Sequence, residues 1–363
     1  MKNDQNVSLL VLIILFLITS GCASPPCMCK RSTVKNLTDS CFSAKEENYS
    51  SGLLNTLKEE GVNTSFRFGA YIRKEIPYFI FVNKQSEILL LNLLDSNEII
   101  RNPLPFLPQV GASYLVQSFK DSILMVDTDN SILYKLFVTN GFKIEKVSEL
   151  NFKKLTKKTA LAIQTHGTQF FYNFPYLYLP YWSMEGKIHL DKNSTLRLNI
   201  QKEEVDKFLP FPDCYSNCFF YSENVNITSN GSALYATFMH MNQMVKYEND
   251  QRKEILLPTN HSFVEFDETK LQNLAYVRQS GAKNEINTNL ILLQDQSLLL
   301  IRRLPKKELT GPSQFIYFKI KNDKIICSGN LDESIFSTMV LPFKNGILTI
   351  DDKLTKTIYY AFQ

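Results

Sequence analysis

The alternation of apolar and polar residues beyond about residue 65 is typical of short β-strands. Short runs of Ile, Leu, Val, Phe and Tyr recur, and Asn, Asp, Gly and Lys separate them. Because no long amphipathic helical stretch interrupts these runs, the sequence predicts an all-β domain. The runs that carry this prediction are 78–82, 88–94, 122–126, 132–138, 176–179, 233–238, 290–293, 298–301, 315–320 and 357–361.

A pair of strands joined by a polar turn returns along the chain at intervals of roughly 45 to 60 residues, a spacing typical of β-propeller blades. The pairs are 123–127 with 132–137, 233–236 with 245–247, 290–293 with 298–301, and 346–351 with 357–360. We therefore predict a β-propeller with six blades. The third and fifth units are irregular, which leaves seven blades open, and a pair of β-sandwiches is the main alternative.

The N-terminal region has the pattern of an export signal. An apolar run covers 7–18 and ends at Ser20-Gly21-Cys22, which resembles the bacterial lipobox. The run is too short to cross a hydrocarbon core of about 30 Å. We expect cleavage after residue 21 and acylation of Cys22, with diacylglycerol on sulfur and a fatty acid such as palmitate.

The predicted domain organisation follows from this signal. Residues 1–21 are the signal peptide, 22–55 form a flexible tether, and 56–363 form the propeller. The tether is polar and contains Pro25-Pro26, so it cannot form an apolar core of its own. A short helix over 53–60, ended by Gly61, is expected near the boundary.

The short lipobox, the strand-turn-strand units and the aromatic segment 170–182 together resemble uncharacterised propeller-like lipoproteins of Bacteroidetes-type bacteria. The resemblance covers most of the mature chain. It implies a location in the cell envelope and a propeller fold. It implies no catalytic residue, because that family has no established ones.

Six cysteines remain when Cys22 is set aside, an even number in an oxidising compartment. Cys214 and Cys218 are predicted to form a local disulfide in a loop. Cys327 follows Ile325-Ile326 and is interpreted as a small buried hydrophobic residue. The cysteine spacing lacks the paired knuckles of zinc sites, so we predict no metal.

The sequence lacks the common catalytic and cofactor motifs, and we predict no cofactor. The four histidines, His166, His189, His240 and His261, do not stand at ligand spacing. The segment after Asp127 resembles the start of a calcium loop, but its glycine and distal glutamate are missing. We interpret Asp127 and the equivalent Asp351 as turn residues.

The segment 170–182 is the richest in aromatic residues. Aromatic faces can stack on sugar rings, and Tyr178, Tyr181 and the single tryptophan, Trp182, are the candidate ligand-binding residues. The alternation along this segment is equally what a core strand would show, and a core strand is the favoured interpretation.

Three functional hypotheses remain. The first is a non-enzymatic binding module for a protein, peptide or glycan, held by lipid at the membrane. The second is a propeller glycan hydrolase or lyase, which needs carboxylates, or a His and a Tyr, to meet at the central funnel. The third is a eukaryotic secreted glycoprotein, which predicts sugar on Asn193 or Asn226.

The net charge of the chain bears on its expected partners, and the residue after Cys22 bears on its expected membrane. The formal charge of +4 is small and scattered, so nucleic acid is not an expected partner. Ala23 is not acidic, and we therefore expect the outer membrane and not the inner one.

Overall fold

The computed structural model describes most of the chain beyond residue 40. The described residues are 41–49, 53–60, 69–73, 75–83, 85–95, 98–107, 114–119, 122–127, 130–139, 141–151, 161–163, 170–185, 188–189, 193–211, 225–249, 251–259, 261, 264, 267, 270, 273–308, 311–331, 335–351, 353 and 355–363.

These residues form six antiparallel sheets, which are the six predicted blades. In blades 1 and 2 the strands run in sequence order, as β2 (Gly69–Arg73), β3 (Ile76–Val82), β4 (Glu87–Asn92) and β5 (Ile99–Pro103), then β6 (Tyr114–Phe119), β7 (Ser122–Asp127), β8 (Ile132–Val138) and β9 (Ile144–Asn151). Blade 3 contains β10 (Leu161–Ile163), β11 (Phe171–Asn173), β12 (Tyr176–Glu185), β13 (Ile188–His189), β14 (Asn193–Asn199) and β15 (Glu204–Pro210).

Blades 4 and 5 again have four strands in sequence order. They are β16 (Val225–Ser229), β17 (Leu234–Phe238), β18 (Gln243–Glu248) and β19 (Gln251–Leu256), then β20 (Ile286–Leu292), β21 (Leu298–Arg303), β22 (Phe315–Lys321) and β23 (Lys324–Leu331). Two helices are described outside the sheets, α1 (Leu53–Glu59) and α2 (Leu274–Ala282). Helix α1 confirms the short helix predicted before Gly61.

Blade 6 closes the ring with the N-terminal strand. Its strands β24 (Ile335–Phe343), β25 (Gly346–Asp351) and β26 (Lys356–Phe362) come from the end of the chain, and β1 (Phe42–Tyr49) pairs antiparallel with β26. The predicted boundary of the tether at residue 55 is therefore wrong for this segment. The segment is polar because an outermost strand faces water, and its contribution to folding is a ladder of backbone hydrogen bonds.

Six apolar clusters fill the spaces between neighbouring blades. Ile80 and Leu90 of blade 1 belong to one cluster with Ile123 and Leu136 of blade 2, and equivalent clusters follow around the ring back to blade 1. Leu57 of α1 joins the cluster between blades 6 and 1. The core is thus a ring of interblade layers, as expected when blades bury their faces against one another.

Strands such as β4, the third of blade 1, and β7, the second of blade 2, are buried on both faces. Burial on both faces explains why they appear as continuous apolar runs in the sequence, whereas an outermost strand such as β9 is mostly exposed. One predicted pair is shifted. The runs 290–293 and 298–301 are the first and second strands of blade 5, while the other pairs are second and third strands, because a long loop separates β21 from β22.

The antiparallel order gives the propeller two faces. At one of them, which we call the linker face, each second strand turns into the third and each blade joins the next; the other is the turn face. On the linker face, the Oδ1 atoms of Asn83, Asp127 and Asp351 accept hydrogen bonds from backbone N–H groups of their own turns. This confirms the interpretation of Asp127 and Asp351 as turn residues.

Blade 3 departs from the regular pattern at its innermost strand. That strand is in two pieces: β10 pairs with the C-terminal half of β12, and β11 pairs with its N-terminal half. Between the two pairings lies Pro180, which is buried and has no N–H group to donate. The break therefore falls where β12 cannot continue the ladder.

A disulfide joins the two outermost strands of blades 5 and 6. Cys41 lies directly before β1 and pairs with Cys327 of β23, 286 residues away, with a Cα–Cα distance of 5.8 Å. The interpretation of Cys327 as a simple buried hydrophobic residue is wrong, since it is half-buried and cross-linked. The apolar residues before Cys327 in the sequence gave no indication of a disulfide. Its partner Cys41 comes near only when the ring closes.

Candidate functional site

Two of the three predicted aromatic ligand residues, Tyr178 and Tyr181, are buried in the core. Tyr178 is 7% exposed and packs between blades 3 and 4, while Tyr181 is 0% exposed and packs between blades 2 and 3. A ligand could not stack on either ring without opening the core, so their assignment as ligand-binding residues is corrected to a structural one. Burial also raises the pKa of Tyr178.

The other predicted site residues are Trp182, Cys22, Cys214 and Cys218. Trp182 lies in β12 with its Cα opposite that of Ala162, and its side chain is not described. Cys22, Cys214 and Cys218 lie outside the described residues. Their acylation and their disulfide remain predictions.

One predicted glycosylation residue is inaccessible. Asn226 is 1% exposed, and its Nδ2 donates to the backbone oxygen of Asn287 at 3.4 Å. A glycan cannot be attached to a folded chain at this position, so this part of the glycoprotein hypothesis is wrong. Asn193 begins β14 and is half-buried.

A buried polar network lies between blades 4 and 5, at the linker face. Its centre is Arg302, near the end of β21, which is 1% exposed. The Arg302 Nε donates to Asn287 Oδ1 at 2.8 Å, and Nη1 donates to Glu285 Oε2 at 3.1 Å and to the backbone oxygen of Pro258. Burial lowers the pKa of the Arg302 guanidinium, and the Glu285 carboxylate opposes that shift.

Asn287 connects this network to the neighbouring blade. Its Nδ2 donates to the backbone oxygens of Phe238 at 2.8 Å and Met241 at 2.6 Å, both at the linker-face end of blade 4. Glu285 Oε2 accepts from Thr259 Oγ1 at 2.7 Å, which fixes the start of the long linker that carries α2. The network therefore joins two blades and the linker between them.

Several buried polar atoms in and around the network could form a further hydrogen bond. In the described part of the chain, no partner is found for Arg302 Nη2, Glu285 Oε1, Asn226 Oδ1 or Thr237 Oγ1. Buried polar atoms of this kind are normally satisfied by water or by a polar ligand. The space between blades 4 and 5 is thus polar at this end, although the rest of the layer is apolar.

Arg303, the next residue, faces the opposite side of β21. The even-numbered residue Leu300 packs toward blade 4, whereas Ile301 packs toward blade 6, so Arg302 and Arg303 point into different interblade spaces. The Arg303 Nη2 donates to the backbone oxygen of Gly281 in α2 at 3.0 Å. Burial lowers the pKa of Arg303 to about 10.

Helix α2 covers this end of the two blades. Asn273 caps its N-terminus by accepting from the N–H groups of Ala275 and Tyr276 at 3.0 and 3.2 Å. Val277 and Ala282 are buried against the propeller, at 8% and 7% exposure. The N-cap and the packing of Val277 and Ala282 hold the helix in place. The face of the helix that points away from the propeller is exposed to solvent.

We did not predict this network from the sequence. The available signal was a pair of arginines, Arg302-Arg303, directly after the continuous apolar run 298–301. Charged residues that extend a strand buried on both faces must be paired or satisfied inside the protein. The partners of these two come from a different blade and from a linker, which the local sequence does not reveal.

Within the described residues, no group of three or more His, Cys, Asp or Glu side chains is arranged to hold a metal ion. The described helices are also too short and too polar to cross a bilayer. The network of Arg302 combines one guanidinium, the carboxylate of Glu285 and the hydroxyl of Thr259. Its hydrogen bonds join blades 4 and 5, which is a structural role.

Comparison with known proteins identifies the fold. No family model matches the sequence, and no curated protein matches it. The structure is similar to a crystal structure of a member of the DUF4221 family from Bacteroides vulgatus, with a TM-score of 0.67, 12% identity, and coverage of 91% of this chain and 99% of the other. It is also similar to a protein of Bacteroides fragilis named as exported, with a TM-score of 0.50, 8% identity, and coverage of 92% and 98%.

At such low identity these likenesses show the fold and carry no residue roles.

Proposed function

We propose that this protein is an envelope lipoprotein, anchored through an acylated Cys22, whose β-propeller is a binding module for a partner outside the cytoplasm. The linker face around α2 is its binding surface. The acylated chain is expected in the outer membrane, since Ala23 follows the anchor residue.

The disulfide between Cys41 and Cys327 is the observation that carries the export part of the proposal. Disulfides of this structural kind form and persist in oxidising compartments and are rare in the cytosol. The Cα atoms of the two residues are 5.8 Å apart, within the usual range for a disulfide. The similarity to a Bacteroides protein named as exported supports the same location.

The position of Cys41 supports the choice of surface. The chain enters β1 at the turn face, because β1 is the fourth strand of blade 6 and runs from that face to the linker face. A tether attached there leaves the linker face, with α1 and α2, at the far side of the domain from its attachment point. That side is the one on which the buried polar network and the basic residues near α2 are found.

Anchoring is tested by a Cys22→Ser variant, with Cys29→Ser as the matched control because Cys29 is a nearby cysteine that is not expected to be acylated. We expect wild type and Cys29→Ser in the membrane fraction and Cys22→Ser in the soluble fraction. Mass spectrometry of the mature N-terminal peptide should show Cys22 as the first residue, carrying acyl chains. Unchanged fractionation of Cys22→Ser, or an N-terminal peptide starting elsewhere, would refute the anchor.

Binding is tested with the purified chain on glycan and peptide arrays. The charge-reversal variant Lys307→Glu lies on the linker face, and Lys202→Glu is its control on the turn face; both lysines are exposed. We expect saturable binding that Lys307→Glu weakens and Lys202→Glu leaves intact. Loss of binding in Lys202→Glu alone would assign the binding surface to the turn face instead. Cleavage of a glycan on the array would favour the hydrolase or lyase alternative over the binding module.

A further inference from the structure

Two segments of the linker face come together to form a cluster of cations. One is the C-terminal half of α2 and the residues after it, and the other is the end of β21 with the loop that follows. The backbone N–H of Lys306 donates to the oxygen of Ala282 at 2.7 Å, which joins the two segments. We call this cluster the α2 basic patch, and its members are Arg278, Lys283, Arg303, Lys306 and Lys307.

The α2 basic patch has an excess of positive charge. In the described stretch 273–308, the carboxylates are Glu285, Asp295 and Glu308. Asp295 lies in the turn between β20 and β21 at the turn face, where it forms an ion pair with Lys319 at 3.0 Å. Glu285 is already bound to Arg302 in the network between blades 4 and 5. Arg278, Lys283 and Lys307 are exposed, and no carboxylate among the described residues forms an ion pair with them. Of the three carboxylates in the stretch 273–308, Glu308 is the one left to balance the patch.

Arg303 differs from the exposed members of the patch because part of its guanidinium is buried. It is half-buried, and the one acceptor found for it in the described part of the chain is the backbone oxygen of Gly281. Its Nε is buried without a hydrogen-bond partner there. Burying a guanidinium without a carboxylate is costly, as the lowered pKa of this group also shows. Arg302 is more deeply buried, at 1% exposure, and it is paired with the carboxylate of Glu285. No carboxylate among the described residues pairs with Arg303.

We propose that the α2 basic patch binds a ligand carrying carboxylate groups, and that Arg303 holds one carboxylate while the exposed cations attract the rest. The planar guanidinium presents donors in a fork that matches a carboxylate, so Arg303 supplies geometry as well as charge. This inference rests on the proposed function as a binding module and deepens it by naming the chemical class of ligand. It does not depend on the lipid anchor.

The test is calorimetric titration of the purified full chain with two probes, a trimer of galacturonic acid and a trimer of glutamic acid, beside neutral galactose trimer. We expect saturable binding of at least one acidic trimer and none of the neutral one. Arg303→Lys keeps the charge but loses the fork, and should weaken binding about tenfold. The matched control, Arg252→Lys on the outermost strand β19, should bind as wild type does.

The two acidic trimers distinguish a sugar source of the carboxylates from a peptide source. Absence of binding by both trimers up to about 10 mM, far weaker than a specific site requires, would overturn the inference. Equal affinity of wild type and Arg303→Lys would overturn the role of Arg303. If Arg303→Lys does not fold, as judged by circular dichroism, the double variant Lys283→Gln and Lys307→Gln changes exposed residues only.

That double variant should still lower the affinity several-fold, and unchanged affinity would count against the patch. Failure here is distinguishable from failure of the proposed function. A module that binds a ligand of another class would not bind the acidic trimers, but it would still show saturable array binding that Lys307→Glu weakens. A protein that is not a binding module would show neither.

Discussion

Removal of the disulfide between Cys41 and Cys327 should destabilise the propeller mainly by freeing the unfolded chain. The cross-link closes a loop with a sequence separation of 286. For a loop of that length, chain entropy gives about 5–6 kcal/mol at 25 °C as an upper estimate, and measured values are usually smaller. We therefore expect the double variant Cys41→Ala and Cys327→Ala to lose about 3–5 kcal/mol of unfolding free energy.

The native ring should survive this change. Strand β1 keeps its ladder with β26, and the N–H of Gln363 still donates to the backbone oxygen of residue 41, a contact of 2.8 Å. Strand content measured by circular dichroism should accordingly be unchanged. The variant differs from wild type in the unfolded ensemble and in local opening of β1, which amide hydrogen exchange would report.

The assay is urea unfolding of wild type, of the double variant and of wild type in reductant. Ile326→Ala serves as the control, because this neighbour of Cys327 is 48% exposed and should change stability by less than about 0.5 kcal/mol. Reduced wild type should coincide with the double variant. A loss of less than about 1 kcal/mol in the double variant would refute the loop-closure reasoning.

Three further outcomes follow from the packing and the charges. Gly69→Ala should destabilise by about 1–3 kcal/mol in urea unfolding, because an added Cβ would lie 2.5 Å from a backbone oxygen of the neighbouring inner strand β6; a neutral change would mean that these strands can separate. Arg302→Met should cost about 3–5 kcal/mol, since it leaves Glu285 buried without its cation, and adding Glu285→Gln should recover part of the loss; no recovery would contradict the pairing. The bond to Arg101 lowers the pKa of Glu60, so Glu60→Gln should destabilise at pH 7, and the difference from wild type should shrink below about pH 4.5 as the wild-type carboxylate protonates; a difference independent of pH would exclude this ion pair.

The sequence by itself predicted the all-β fold class and favoured six blades over seven. Second strands that are buried on both faces appear in the sequence as apolar runs, such as 123–126 and 298–301, and polar segments separate these runs. The turn roles of Asp127 and Asp351 were equally local, because each side chain bonds to its own turn. The export signal with Cys22 is also read from sequence, and its acylation stays a prediction.

Tertiary structure alone decided which polar strand closes the ring, which cysteines pair and where charge is buried. Strand β1 is polar and stable only beside β26, more than 300 residues away in the chain. Cys41 and Cys327, and likewise Asn226, Asn287 and Arg302, meet through blade packing and not through sequence proximity. The physical reason is that hydrophobic periodicity reports whether a residue is buried, whereas the partner of a buried polar group depends on which elements the closed ring brings into contact.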